Sequence, residues 1–389
     1  MADWRIGCRT SGVDMHEWSR RDFLRLTGGG TLLLTVAGSG LLAACDPPQT
    51  LQNPDGNGVR LPGGFTSRVI ATTGETVGAT DYVWHVAPDG GACFPLAGGG
   101  WSYVSNCESV PGGASYVRFA ANGAIVDAGS CLSGSIVNCA GGATPWGTWL
   151  SCEEYPAGRV WECSPIGATP GVPRPAMGAF SHEAVAADPT HQCLYLTEDR
   201  PDGGFYRFVP TMWGDLSAGT LEILTESVGA LAWATVPDPS GVPTATRSQV
   251  PETKRFAGGE GIAMSNGRAI FTTKGDNRVW GFDPVAMTLT IIYDDDVQVN
   301  GVLSGVDNVG TTQPGVVYVA EDGGNMQIVL VRDNGATYPV VELPNVPGSE
   351  MTGPAFDPSG TRLYFSSQRN PGRTYEVTGP WSMFTKPGV

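Results

Sequence analysis

The chain has 389 residues, 23 Lys and Arg against 38 Asp and Glu, a formal net charge of −15 and only four His. So acidic a balance argues against nucleic acid as a partner. So few His exclude a metal site built mainly on imidazole, so any metal must rest chiefly on carboxylates. Thirty Pro and 55 Gly spread along the chain between short β-like runs read as a turn-rich, all-β protein.

At the N-terminus, Ser19, Arg20, Arg21, Asp22, Phe23, Leu24 and Arg25 resemble a twin-arginine export signal, followed by a mildly apolar stretch from Leu26 to Ala44. Gly28, Gly29, Gly30, Gly38 and Gly40 break that stretch and leave it short of a membrane span. Leu42, Ala43, Ala44 and Cys45 resemble a lipoprotein cleavage site, with Cys45 the lipidated residue. The expectation is an extracytoplasmic protein, carried folded by the twin-arginine translocase, cleaved after residue 44 and held at the membrane by lipid on Cys45. Removing residues 1–44 leaves 18 basic against 34 acidic residues, a charge near −16. An oxidising compartment permits disulfides among Cys93, Cys107, Cys131, Cys139, Cys152, Cys163 and Cys193, with no pairing legible from spacing.

Six similar segments follow: SYVSNCES from Ser102, TWLSCEEY from Thr148, CLYLTEDR from Cys193, AIFTTKGD from Ala269, VVYVAEDG from Val316 and LYFSSQRN from Leu363. Their starts lie 46, 45, 76, 47 and 47 residues apart. A period in the mid-forties with short strands predicts a six-bladed β-propeller over residues 81–389. The long interval holds an insertion, about 211–255, in which Gly219 to Trp233 is either a strand pair or a cap helix. Residues 45–80 read as an irregular arm or as the strand that closes the ring.

In several repeats the segment is the second arm of a hairpin, as at Gly261 to Thr273 around Asn266 and Gly267. Residues entering the first arm and leaving the second therefore share one mouth of each blade. The exits carry Glu108, Glu154, Asp199 and Asp322, the entries Cys139, Glu183, Glu260 and Asp307, with Glu350 near the last blade. Single acidic residues at strand ends are ordinarily solvated turn residues. Recurrence at one register instead predicts a funnel of carboxylates whose repulsion is relieved by bound cations.

The run Asn138 to Glu154, NCAGGATPWGTWLSCEE, resembles the signature of the PhoX-type alkaline phosphatases. GGWSYVSNCE from Gly99, GAFSHEAVAADP from Gly178, LYLTED from Leu194, FYRFVP from Phe205, VYVAEDGG from Val317 and TGPAFDPSG from Thr352 extend the resemblance over most of residues 80–372. It implies a six-bladed propeller that hydrolyses small phosphomonoester substrates with a pair of ferric ions and several calcium ions. It places Cys139, Glu154, Glu183 and Glu260 on iron, and Asp199 and Asp322 on calcium. Thiolate ligation suits iron rather than calcium. Larger members carry a phosphate-clamping Arg two residues before the Glu that corresponds to Glu260, where this chain has Gly258. Lys274, Arg369 and Arg255 are the candidates to contact phosphate in its place. Two other readings compete: a calcium-dependent lactonase-like hydrolase, and a non-catalytic surface lipoprotein stiffened by calcium.

Overall fold

The structure, a computed structural model, describes residues 50–298 and 301–384. Arg20, Arg21 and Cys45 lie outside them. Each repeated segment builds the second strand of an antiparallel sheet: Trp101–Cys107, Trp149–Glu153, Cys193–Glu198, Arg268–Thr273, Val316–Glu321 and Arg362–Ser367. The inner strands before them are Pro88–Pro95, Asn138–Ala143, His182–Asp188, Gly259–Ser265, Val306–Gln313 and Met351–Phe356. Each inner strand touches the next and the sixth touches the first, which closes six blades into a propeller.

The ring is fastened by Thr66–Thr72, which pairs antiparallel with Arg373–Thr378 as the outermost strand of blade six. The propeller thus begins before residue 81, which corrects the expected boundary. Without it blade six would have three strands, and its pairing with the last strand ties the two ends of the ring together. In blade three, Asp215–Ser227 pairs with Phe205–Met212 on one side and with a fifth strand, Ala230–Thr235, on the other. The stretch from Gly219 to Trp233 is therefore a strand pair and not a helix. It turns through Val228 and Gly229, whose φ values of 51° and 79° give the two left-handed positions that a tight hairpin needs. Among the described residues no helix is long and apolar enough to cross a membrane.

Blade packing explains why these strands read as continuous apolar runs. Successive side chains point to opposite faces, and both faces are covered. Leu194 and Leu196 pack toward blade two with Leu150 and Cys152, while Tyr195 between them packs toward blade four with Phe205 and Phe271. Val317 and Val319 face blade four, and Tyr318 faces blade six. Among the described residues the core consists of six hydrophobic clusters, one per interface between blades. All seven Cys from Cys93 to Cys193 are free thiols, mostly buried, and Cys93, Cys131, Cys152, Cys163 and Cys193 serve as small apolar residues of these clusters. At the axis the inner strands approach so closely that glycine is required. A Cβ on Gly142 would lie 1.9 Å from the Val185 carbonyl oxygen, and one on Gly310 would lie 2.0 Å from that of Pro354.

Candidate metal centre

A bulge interrupts the ladder near the start of every inner strand. Bulges re-aim side chains, and here the second residues of the six inner strands gather as Asp89, Cys139, Glu183, Glu260, Asp307 and Thr352, all buried. The residues that follow the second strands are Glu108, Glu154, Asp199, Lys274, Asp322 and Gln368. Two stacked rings at one mouth result.

The paired acids of the repeat divide by role. Glu153 accepts the Ile136 and Arg159 amides at 3.1 Å each. Glu198 accepts the Gly204 amide and the Tyr206 hydroxyl and pairs with Arg247 at 2.8 Å. Glu321 accepts the Ser304 and Gln327 amides. These three hold loops. The residues after them, Glu154, Asp199 and Asp322, belong to the mouth.

Three sets of potential ligand atoms each lie within 4.8 Å of one another: Cys139, Glu154 and Glu183; Glu183, Glu260 and Asp307; and Asp307, Asp322 and Glu350. Glu183 is common to the first two and Asp307 to the last two. The sets therefore form one continuous row. Cys139 donates its thiol hydrogen to Glu183 Oε1 at 3.3 Å. Lys274 Nζ lies 3.0 Å from Asp322, 3.3 Å from Asp307 and 3.6 Å from Glu260. Asp199 stands outside the three sets, near enough to Glu154 to raise its pKa and beside Gly258.

Electrostatics follow from crowding. Burial, then Asp199 and Glu108, push the Glu154 carboxyl up to about 8. Burial, then Asp307, Asp89 and Asp322, push Glu350 up to about 9. Burial and their carboxylate neighbours raise Glu183 and Glu260 well above the ordinary range, and burial and adjacent acids raise the Cys139 thiol. Burial opposes the charge on Lys274, but Asp307, Glu260 and Asp322 more than offset it and raise its pKa. Glu183 Oε2 and Glu260 Oε1 are buried without a hydrogen-bond partner. Buried carboxyl oxygens left without donors, beside one thiol, fit hard cations together with one metal that accepts sulfur.

The expected phosphate contacts separate. Lys274 occupies the mouth ring itself. Arg369 stands one residue past the equivalent position, which is Gln368, and reaches Glu108 at 3.2 Å and Glu350 at 3.5 Å. Arg255 instead reaches the Asp202 carbonyl at 3.0 Å. Gly258 has φ +74°, and a Cβ there would lie 3.1 Å from Asp199 Oδ1. A side chain at this position would carry both backbone strain and a close approach.

Sequence reading passes over Asp89 and Gln368. Gln368 Nε2 donates to Asp89 Oδ2 at 2.6 Å and to Glu108 Oε2 at 2.7 Å, which binds the rings together between blades six and one. Asp89 escapes because the first hairpin is longer, turning through Ala97–Gly99, and displaces it from the spacing of the other entries. A small residue after four of the acidic or thiol entries, Asp89–Gly90, Cys139–Ala140, Glu183–Ala184 and Glu260–Gly261, is the signal that finds it.

The family model described as alkaline phosphatase PhoX matches residues 111–165 and 156–280. A solved structure of Pseudomonas fluorescens PhoX in complex with vanadate, a transition state analogue, superposes with a TM-score of 0.70 at 16% identity. That match covers 86% of this chain and 97% of the other. A protein of unknown function from Bacteroides thetaiotaomicron gives a TM-score of 0.52 at 10% identity, covering 80% of this chain and 76% of its own. A gluconolactonase from Xanthomonas campestris gives 0.47 at 13% identity, covering 86% and 95%. No curated protein matches the sequence. Residues 111–280, the stretch that the PhoX family model matches, carry Cys139, Glu154, Glu183, Asp199 and Glu260.

Proposed function

We propose that this protein is an extracytoplasmic, metal-dependent phosphatase that hydrolyses phosphomonoesters to scavenge phosphate. The observation that carries this reading is the row of donor sets sharing Glu183 and Asp307 beneath a mouth that also holds Lys274. Shared carboxylates suit several cations held close together, and the one thiol sits at one end of the row. Cys139, Glu154, Glu183 and Glu260 would hold a ferric pair. Asp307, Asp322 and Glu350, with Asp199 beside them, would hold calcium. Bound there, trivalent iron and calcium would supply Lewis acidity and the positive charge that an acidic protein needs to attract a phosphate dianion.

The chain's own residues do the rest. Lys274 and Arg369 present cationic donors to phosphoryl oxygens at the mouth. Gln368 holds Asp89 against Glu108. The small residues Gly90, Ala140, Ala184, Gly261 and Gly353 line the axis directly below, where the inner strands meet.

Twin-arginine export through Arg20 and Arg21 would deliver the protein folded and metallated, with Cys45 anchoring it to the membrane. The test is elemental analysis and a p-nitrophenyl phosphate assay on one preparation of exported protein supplied with calcium. Iron together with phosphate release is expected. Active protein without iron would overturn the cofactor assignment, and iron-loaded protein without phosphate release would overturn the activity.

A further inference from the structure

The mouth of the propeller carries arginine at two equivalent positions. Arg200 and Arg369 each stand two residues past a second strand, in blades three and six. Blades three apart in a ring of six face each other across the axis, so the two residues flank the mouth from opposite sides.

Their surroundings differ. Arg369 is engaged by Glu108 and Glu350. Lys274 is engaged by three carboxylates, Arg247 by Glu198 and Asp202, and Arg255 by Asp202. Arg200, half-buried, has no ion-pair or side-chain hydrogen-bond partner among the described residues. Its backbone is fixed nonetheless. The Arg200 amide donates to the Glu198 carbonyl at 3.0 Å, and its carbonyl accepts the Gly203 amide at 2.9 Å and the Gly258 amide at 2.8 Å. The last bond ties Arg200 to the blade-four entry two residues before Glu260, beside Asp199.

We propose that Arg200 is a specificity-determining residue, a rim guanidinium that engages the doubly charged phosphoryl group opposite Arg369. In a strongly acidic mouth, a guanidinium left without a carboxylate has its charge and planar donors free for an incoming anion, whereas Lys274 and Arg369 share theirs with carboxylates. Being on a pinned loop, it is held in place before substrate arrives. This assignment rests on the phosphomonoesterase reading. It goes beyond it in predicting preference for a monoester dianion over a diester monoanion.

The experiment uses metal-loaded full chain, wild type, Arg200→Gln and Arg200→Lys. It measures inorganic phosphate binding by calorimetry, and kcat and KM for p-nitrophenyl phosphate and bis-p-nitrophenyl phosphate. Loss of one charge-assisted contact is expected to weaken phosphate binding and raise the monoester KM about 10-fold or more. The diester KM should move much less, Arg200→Lys should recover part of the loss, and metal content and Tm should stay at wild-type values. If Arg200→Gln matches wild type on phosphate and monoester, the Arg200 assignment falls and the phosphatase reading stands. If the variant loses metal or melts early, its role is structural and the assignment also falls. If wild type neither binds phosphate nor cleaves the monoester, the phosphatase reading falls and takes the assignment with it.

Discussion

Replacing Glu183 by Gln gives the sharpest test of the buried acidic row, because the expected effects on metal-free and metal-loaded protein have opposite signs. Glu183 is buried, one oxygen has no hydrogen-bond partner, and it belongs to two of the three donor sets. Its pKa is raised from the ordinary value of 4.5, first by burial and then by Glu260, Glu154, Asp307 and Asp89. The folded state therefore retains a proton that the unfolded chain releases above that value. A raised carboxyl favours folding fully below the unfolded pKa, and this support is lost as pH rises through the folded value. The cost accumulates at about 1.4 kcal/mol per pH unit where the two states differ by a full proton. Coupling to neighbouring acids and to Lys274 spreads that proton over several sites. The isosteric amide, which carries no charge at any pH, should therefore stabilise chelated protein at pH 7 by on the order of 1–3 kcal/mol. In a chain of this size that is a rise of roughly 1–4 °C. Near pH 4.5 the difference should shrink to a few tenths of a kcal/mol, since the carboxyl is then protonated in the folded state and about half protonated in the unfolded chain. With iron and calcium supplied, the order should reverse, because wild type gains the stabilisation of bound ions and the variant has lost a shared ligand. Thermal melts at pH 4.5 and 7, chelated and metal-loaded, with elemental analysis, decide the matter. A chelated variant that melts below wild type at pH 7, or one that keeps full metal content, refutes the reasoning.

Three further outcomes are expected. Cys139→Ser should lower iron content and abolish visible absorption from thiolate bound to iron, while calcium content, measured on the same sample, stays close to wild type. Glu153→Ala and Glu154→Ala should part company despite adjacency. The first removes the acceptor of the Ile136 and Arg159 amides and should cost about 1–3 kcal/mol in denaturant unfolding with metal retained. The second should shed metal with little loss of stability in the chelated protein. Phe271→Ala, in the interface between blades three and four, where Phe271 stacks on Phe205 at 4.6 Å, should cost about 3–5 kcal/mol by the same unfolding measurement.

Much of this was legible in the residues because a propeller writes its architecture as a repeat. Six second strands show a period in the mid-forties because each blade needs the same four strands and turns. The acids at strand exits appear at one register because antiparallel hairpins return the chain to the end it left. Sequence alone thereby determined the blade count, the single mouth and the candidates Cys139, Glu154, Glu183, Glu260, Asp307 and Asp322. By sequence the stretch from Gly219 to Trp233 fits a strand pair or a helix, since a run of that length satisfies either period.

Tertiary structure decided what depends on contacts between distant segments. Closure of blade six by Thr66–Thr72 joins residues some 300 positions apart, and no local pattern records such pairing. The split between Glu153 and Glu154, or Glu321 and Asp322, turns on which carboxylate meets loop amides and which faces the mouth. Gln368 emerged only because its amide meets Asp89 and Glu108 from another blade, and Arg200 only because every other mouth cation near it has a carboxylate partner. Repetition along the chain is a one-dimensional record of local geometry. Charge partnership is fixed by where the ring brings blades together, and a linear sequence carries no direct trace of it.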